Sequence, residues 1–217
     1  QDLTVEENLN FFASVFGTTI KENYNLIAPV YSQIEPFKNR RAGKLSGGMK
    51  QKLALSCALV HKPEILILDE PTTGVDAVSR REFWDMLKDI RSKGITILVS
   101  TPYMEEAVLC DTISLMFDGK MIDSGTPDEI TSHFTDPIFI IKTDFVRNLL
   151  KVIREMPCLK SVNSFGQTLH VVLNSNKCSE KDISKFIRSK CSFDFEIEPY
   201  SAGIEDCFIN HIISRKQ

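Results

Sequence analysis

The sequence predicts an α/β protein with a mostly parallel sheet and a helical subdomain, followed by a small α+β domain. Residues 65–68 form a continuous apolar run, typical of a buried parallel strand, that ends abruptly in two carboxylates. After Asp136-Pro137 the pattern changes to short strands and helices in the order β-α-β-β-α-β. The 217 residues, 42% of them hydrophobic, suffice for one domain and a smaller second one.

The chain opens with two predicted helices. Thr4-Val5-Glu6-Glu7 is a capping-box pattern, and the apolar residues after it, at helical spacing, stop at Gly17. A second helix is predicted over residues 24–34, where Pro29 marks either a kink or a start. The first helix carries an aromatic stripe made of Phe11, Phe12 and Phe16. We interpret this stripe as core, because amphipathic faces usually pack inward, and the alternative is a docking face for a partner protein.

A third helical pattern begins at Ser46, which precedes two glycines and a largely apolar stripe. Serine is a good N-cap, and paired glycines allow close approach to the backbone N–H groups. Such a helix start favours phosphate, because its unsatisfied N–H groups and the helix dipole both attract an anion. Ser-Gly-Gly alone is a weak signal, so the interpretation depends on the residues downstream of it.

Asp69 and Glu70 come directly after the apolar run at 65–68, where ligands bind in open α/β sheets. One carboxylate can hold Mg²⁺, and the other can orient or deprotonate an attacking water. The alternative is a polar turn before Pro71. We prefer the functional interpretation because a phosphate-binding helix start lies just upstream.

Taken in order, these motifs resemble those of ATP-binding cassette (ABC) ATPases, which have the P-loop NTPase fold. Residues 45–51 (LSGGMKQ) are similar to the family signature, and residues 65–70 (ILILDE) resemble the Walker B strand with its catalytic glutamate. Residues 73–76 (TGVD) resemble the D-loop. The resemblance covers residues 1–134 and implies ATP and Mg²⁺ as cofactors.

The resemblance implies that the signature acts on a second cassette. Ser46, Gly47 and Gly48 would contact the γ-phosphate of an ATP bound to the other cassette of a head-to-tail dimer. Gln51 lies on the same predicted helix, where it would either support that contact or be a solvated polar residue.

The resemblance also assigns roles to three carboxylates. Asp69 would bind Mg²⁺ through water, and Glu70 would be the general base toward the attacking water. Asp76 would shape the D-loop, which carries coupling between the two sites.

Pro102 departs from the family pattern, which usually has a histidine after the strand that ends in Ser-Thr. Proline has neither a side-chain donor nor an N–H, so we interpret the site as weakened or degenerate. The alternative is that backbone groups or water replace the histidine. The four histidines, His61, His133, His170 and His211, lie elsewhere in the sequence and are interpreted as ordinary surface or core residues.

The phosphate loop (Walker A) and the Q-loop of the family have no match in this sequence. Neither Gly43-Lys44 nor Gly119-Lys120 has the neighbours of a loop that ends in Gly-Lys-Ser/Thr. Both motifs are expected to precede Gln1, so we expect an N-terminally truncated fragment that alone shows no ATPase activity and no tight ATP binding. In the intact protein, we expect this poor site to be paired with a better one.

The elements between the D-loop and residue 135 are predicted from local patterns. The sequence predicts a helix over residues 76–93 with Trp84 in the core, a strand over 95–99, a helix over 103–109, and a hairpin of strands 112–117 and 121–123 around Asp118-Gly119. A second capping box, Thr126-Pro127-Asp128-Glu129, opens a helix that ends near Phe134.

The second domain is predicted over residues 136–217, after a cassette portion at 1–135 (helical subdomain about 1–50, Walker B to switch region about 61–135). Its predicted strands at 138–141, 159–162, 169–173 and 193–197 and helices at 143–156 and 179–188 match a ferredoxin-like split unit. A final helix at 203–213 resembles the closing helix of exporters of the drug, antibiotic or polysaccharide type.

Composition excludes several other classes of function. The net charge of −3 and the pI of about 5.9 lack the basic footprint of a nucleic-acid-binding protein. The apolar runs are far shorter than the roughly 20 residues that span a bilayer. The six cysteines have no metal or redox spacing, and Cys57 is predicted to be a buried thiol.

The resemblance therefore implies the ATP-binding and hydrolysing subunit of an ABC exporter, peripheral on the inner, cytoplasmic face of the membrane. Its implied partners are a second ABC ATPase domain and an integral membrane permease, with no nucleic acid. One alternative is an ABC protein without a permease, of the translation or repair type. Another is a non-catalytic binding or dimerisation fragment.

Overall fold

The computed structural model describes residues 2–174 and 178–214, so Gln1 lies outside the described residues. The chain divides into two compact units, Gln1–Leu109 and Cys110–Gln217. The predicted domain boundary after residue 135 falls later than this division and stays a prediction.

Besides two short 3₁₀ helices, Glu35–Phe37 and Ala42–Lys44, the N-terminal unit contains five α-helices and two strands among its described residues. In chain order they are α1 (Val5–Val15), α2 (Tyr24–Tyr31), α3 (Gly47–Leu59), β1 (Ile65–Asp69), α4 (Ala77–Ser92), β2 (Thr96–Ser100) and α5 (Met104–Ala107). Helix α2 ends three residues before its predicted end, with Pro29 inside it, and α5 is a single turn. Trp84 is buried in α4, as predicted.

Helix α1 begins with the predicted capping box, because Thr4 and Glu7 each bond the other's backbone N–H. Its buried positions are Val5, Leu9 and Ala13, spaced by one helical turn. The interpretation of the aromatic stripe as core is therefore wrong, because the stripe made of Val5, Leu9 and Ala13 faces inward and the aromatic one does not. The exposed fractions are 56% for Phe11, 38% for Phe12 and 54% for Phe16.

Strands β1 and β2 are paired in parallel, as the sequence predicted, in a register that sets Asp69 opposite Ser100. Leu66 is buried, but Ile65 is 60%, Ile67 71% and Leu98 61% exposed. The prediction of a strand buried on both faces is therefore wrong for the described chain. Parallel strands normally have both faces covered, whereas this apolar face is exposed in the described chain.

The C-terminal unit contains six strands and four helices among its described residues. They are β3 (Ile113–Phe117), β4 (Lys120–Gly125), α6 (Pro127–Ser132), β5 (Ile138–Lys142), α7 (Val146–Ile153), β6 (Leu159–Phe165), β7 (Thr168–Leu173), α8 (Glu180–Lys190), β8 (Glu196–Pro199) and α9 (Ile204–Ser214). Strands β3 and β4 form the predicted hairpin, and Asp118 and Gly119 both have the positive φ that its turn requires. The capping box at Thr126 is also present.

Strands β5 to β8 form an antiparallel sheet in the order β6-β7-β5-β8. This is the strand order of the predicted ferredoxin-like domain, although the last strand begins three residues later than expected. Alternate residues of β7 (Leu169, Val171 and Leu173) pack against α7 and α8 in the main core of this unit.

Helix α9 contributes one partner to each of two histidine–aspartate pairs. At its N-terminal end, Asp206 accepts a bond from buried His170 of β7, with 2.8 Å between Oδ1 and Nδ1. Nearer the other end of α9, His211 contacts Asp123 of β4, which also bonds His133. Helix α9 therefore connects the sheet to the β3–β4 hairpin.

A disulfide that the sequence analysis did not predict joins Cys158, before β6, to Cys178, before α8. Cys57 is a buried free thiol, as predicted, and burial raises its pKa to about 12. Within residues 2–174 and 178–214, no helix has the length and apolar character needed to cross a bilayer.

Replacing Ile90, which is fully buried in α4, by alanine should lower the free energy of unfolding of the N-terminal unit by about 2–5 kcal/mol. The matched control is Val78→Ala on the same helix, which is 71% exposed and should change it by less than about 0.5 kcal/mol. Trp84 is the only tryptophan, so its fluorescence during urea unfolding reports on this unit. Equal effects of the two variants would contradict the core assignment.

Candidate functional site

Helix α3 presents an open N-terminus. Ser46 is its N-cap, and the side-chain oxygen accepts from the backbone N–H of Met49 at 3.4 Å. A Cβ at Gly47 would meet no atom within 4 Å, whereas one at Gly48 would lie 3.6 Å from the Ser79 hydroxyl. The Gly47 side of the helix start is thus open to a ligand, and the Gly48 side faces the start of α4.

Gln51 joins α3 to the loop after β1, since its side-chain amide donates to the carbonyl oxygen of Pro71. The side chain is therefore not simply solvated, which was one of the two roles open for it. Its other role, support for a phosphate contact, stays a prediction. The bond places α3, which begins with the predicted signature, beside the loop after β1 that carries Glu70.

Ser100 organises the carboxyl ends of the two parallel strands. Its hydroxyl donates to Asp69 Oδ1 at 2.5 Å and accepts from the backbone N–H of Glu70 at 2.9 Å. The same N–H also lies 3.1 Å from the Ser100 carbonyl oxygen. Ser100 carries no sequence signal for this role, because only the β1–β2 register shows that it lies opposite Asp69.

Glu70 has a left-handed backbone, with φ of 43°. For a residue other than glycine this conformation costs on the order of 1–3 kcal/mol and is concentrated at functional sites. Its carboxylate Oε2 accepts from the Thr73 hydroxyl at 3.1 Å, which orients an otherwise exposed side chain. The turn thus holds a carboxylate at the edge of the sheet.

Asp76 is the N-cap of α4. Its Oδ1 accepts from the backbone N–H groups of Val78 at 3.1 Å and Ser79 at 3.0 Å. The bonds from Ser79 lower the pKa of this carboxyl below its ordinary value, because they favour the charged form. Asp76 therefore fixes the end of the loop at 73–76, and its role in coupling two sites stays a prediction.

Pro102 is exposed at the end of β2, and no described histidine takes its place. Each of the four histidine rings contacts another side chain. His61 stacks on Phe16, His170 bonds Asp206, and both His133 and His211 bond Asp123. The interpretation of the histidines as ordinary surface or core residues stays a prediction.

Residues 1–73 match the family model described as ABC transporter. The chain carries part of an ABC transporter ATP-binding domain. It is 39% identical over 178 residues to the probable multidrug ABC transporter ATP-binding protein YbhF of Escherichia coli (strain K12), covering 80% of this chain and 31% of that protein. It is 42% identical over 129 residues to Nod factor export ATP-binding protein I of Burkholderia orbicola (strain AU 1054), covering 58% of this chain and 42% of that one.

Solved structures agree with the ABC assignment. The chain resembles an ATP-binding subunit of an ABC transporter with a TM-score of 0.54 and 30% identity, over 61% of this chain and 56% of that one. It resembles cbiO1 of Clostridium perfringens, described as part of the ABC transporter complex cbiONQ, with a TM-score of 0.54 and 26% identity, over 72% and 59%. The fold is that of the P-loop NTPases, as the resemblance implied.

The chain spans about a third to two fifths of the length of these two relatives. The structure brings together three regions that the resemblance to ABC ATPases predicted: Walker B, the switch region and the signature. Walker B and the switch region meet through Ser100, and the signature helix meets the loop after Walker B through Gln51. Carboxylates such as those of Asp69 and Glu70 are of the chemical type that Mg²⁺ takes as ligands and that accepts a proton.

The Asp76 cap should make the stability of the N-terminal unit depend on acid. The pKa of Asp76 is lower in the folded chain than its ordinary value of 3.8, so its contribution is complete above that value and is lost as the pH falls through the folded pKa. Asp76→Asn keeps an acceptor oxygen but cannot titrate, so the variant should lose less stability between about pH 6 and about pH 3.

Urea unfolding followed by Trp84 fluorescence at each pH measures this difference. Asp89→Asn, an exposed substitution near the other end of α4, is the control and should keep the acid dependence of the unchanged chain. Parallel pH profiles for the unchanged chain and Asp76→Asn would contradict the cap as the origin of the effect.

Proposed function

We propose that this chain is the signature, Walker B and switch portion of the ATP-binding, ATP-hydrolysing subunit of an ABC exporter. The observation that supports the proposal is the arrangement of Asp69, Glu70 and Ser100 at the carboxyl edge of a parallel pair. The names of its relatives, a probable multidrug ABC transporter ATP-binding protein and a Nod factor export ATP-binding protein, support a role in export. We assign the passage through the membrane to a separate permease.

The carboxylates divide the chemistry between them. Asp69, oriented by Ser100, would hold Mg²⁺ through water, and the ion would neutralise charge on the phosphates. Glu70 would accept a proton from the attacking water, a role usually worth about 10²–10⁴-fold in rate. The Thr73 hydroxyl keeps the Glu70 carboxylate oriented for that task.

The open start of α3 suits a phosphate that belongs to another cassette. Ser46 and the exposed Gly47 offer a hydroxyl and backbone N–H groups at the positive end of a helix dipole. We assign Ser46, Gly47 and Gly48 to the γ-phosphate of an ATP held by a partner ABC domain. The exposed β1–β2 face would pack against further strands of the same cassette, which would supply the phosphate loop.

The exposed aromatic face of α1 is the proposed contact with the permease. Phe12 lines an apolar groove of about 410 Å³ between α1 and α3. The groove is lined by Asn8, Phe12, Ala42, Lys50, Leu53, Ala54, Cys57 and Ala58. Large exposed apolar surfaces mark interaction sites. Docking there would place the subunit peripherally on the inner, cytoplasmic face of the membrane.

We infer that this site hydrolyses ATP slowly, because Pro102 offers no donor where a histidine would contact the γ-phosphate. The proposal requires a more active cassette as its partner in the assembled transporter. Transport would then depend on two unequal sites.

The substitution Glu70→Gln tests the paired-site proposal in the complete subunit assembled with its permease in lipid vesicles. We expect most of the ATPase rate to remain, because the partner site carries the larger share. Glu64→Gln, an exposed glutamate just before β1, is the control and should leave the rate unchanged. Near-total loss of activity in Glu70→Gln alone would show that this site is the working one.

Pro102→His should raise turnover at this site. The imidazole restores a side-chain donor toward the γ-phosphate, and one pre-positioned contact of this kind is commonly worth about 10²-fold. The measurement is the ATPase rate of the assembled transporter with the partner cassette's catalytic glutamate replaced by glutamine. An unchanged rate would contradict the role assigned to Pro102.

A further inference from the structure

Glu106 is a buried carboxylate that the proposed mechanism does not use. It lies in the short helix α5 with only 2% of its surface exposed, whereas its neighbour Glu105 is exposed. A carboxylate is almost never buried unless charged or polar groups compensate its lost hydration. The groups that contact Glu106 therefore show how the buried carboxylate is compensated and which segments it joins.

One oxygen of Glu106 joins the two loops of the site. Its Oε2 accepts from the hydroxyl of Thr72 at 3.0 Å and from the hydroxyl of Thr101 at 2.6 Å. Thr72 lies in the loop after β1, which carries Glu70, and Thr101 lies in the loop after β2, which carries Pro102. Two bonds to a charged acceptor are among the stronger hydrogen bonds in proteins.

The other oxygen faces Arg80 of α4, with 3.5 Å between Oε1 and Nε. The guanidinium also lies over the Tyr103 ring, with its carbon 4.0 Å from the ring centroid, and bonds Glu105 at 2.9 Å. A positive charge from α4 thus compensates the buried carboxylate and brings α4 into the same cluster.

We propose that Glu106 is a positioning residue for hydrolysis. It clamps the loop after β1 (the Walker B loop) to the loop after β2 (the switch loop) and so fixes the orientation of Glu70. The effect passes through Thr72 to the adjacent Thr73, whose hydroxyl bonds the Glu70 carboxylate. The exposed Pro102 has no side-chain donor that could link the loop after β1 to the loop after β2. The buried Glu106 makes that link instead. This role rests on the proposed function of the site.

Glu106→Gln is the most direct test, because it keeps the shape but places an NH₂ group where two hydroxyls donate. In the 217-residue chain, we expect amide hydrogen exchange to become about tenfold faster at Glu70, Thr73 and Tyr103, whose N–H groups bond within these loops. Exchange in α1 should stay as it is. Glu105→Gln removes the exposed partner of Arg80 and is the matched control, with no change expected.

Unchanged exchange at those three amides in a folded Glu106→Gln chain would overturn the clamp. If that variant does not fold, Thr72→Val removes a single donor to Glu106 and should accelerate exchange at Glu70 and Thr73. No acceleration at either amide in Thr72→Val would equally overturn the proposal.

Kinetics separate positioning from general stability. In the complete subunit, with the partner cassette's catalytic glutamate replaced, Glu106→Gln should lower kcat by about 10–100-fold and leave KM for ATP within about threefold. Glu106→Asp should recover part of kcat. Equal kcat values for Glu106→Gln and Glu105→Gln would overturn the clamp, whereas absence of ATPase activity before any change would overturn the proposed function instead.

Discussion

The parallel register of β1 and β2 is the constraint on which the rest of the site depends. Because the two strands run in the same direction, their carboxyl ends meet at one edge, with Asp69 opposite Ser100. A shift of one residue would move every side chain to the opposite face and separate the serine from both carboxylates. The left-handed turn at Glu70 and the cluster around Glu106 both depend on this register, because each involves the ends of β1 and β2.

Much of this architecture is determined by local sequence. The capping boxes at Thr4 and Thr126 and the hairpin turn at Asp118-Gly119 are satisfied within a few residues, so the pattern predicts them correctly. The order of strands in the C-terminal sheet was also predictable, because the alternation of elements leaves few topologies. The signature and Walker B assignments depend on short motifs whose chemistry is local, and they stay predictions.

The remaining features depend on contacts that are distant in sequence. Helical periodicity shows that α1 has apolar stripes, but it does not show which stripe faces inward, and the phenylalanines were assigned to the wrong one. Ser100 and Glu106 acquire their roles from partners 31 and 34 residues away. An ordinary serine and the second of two adjacent glutamates carry no sequence signal for these contacts.

Helix α9 bonds both the β3–β4 hairpin and β7, yet it comes after both of them in the chain. During synthesis, domains fold as units in order from the N-terminus. The hairpin and the sheet of this unit must therefore wait for α9 to emerge from the ribosome before their shared packing is complete. In the interval, the C-terminal unit of a nascent chain would still be open, so its packing is completed only after the last helix has been synthesised.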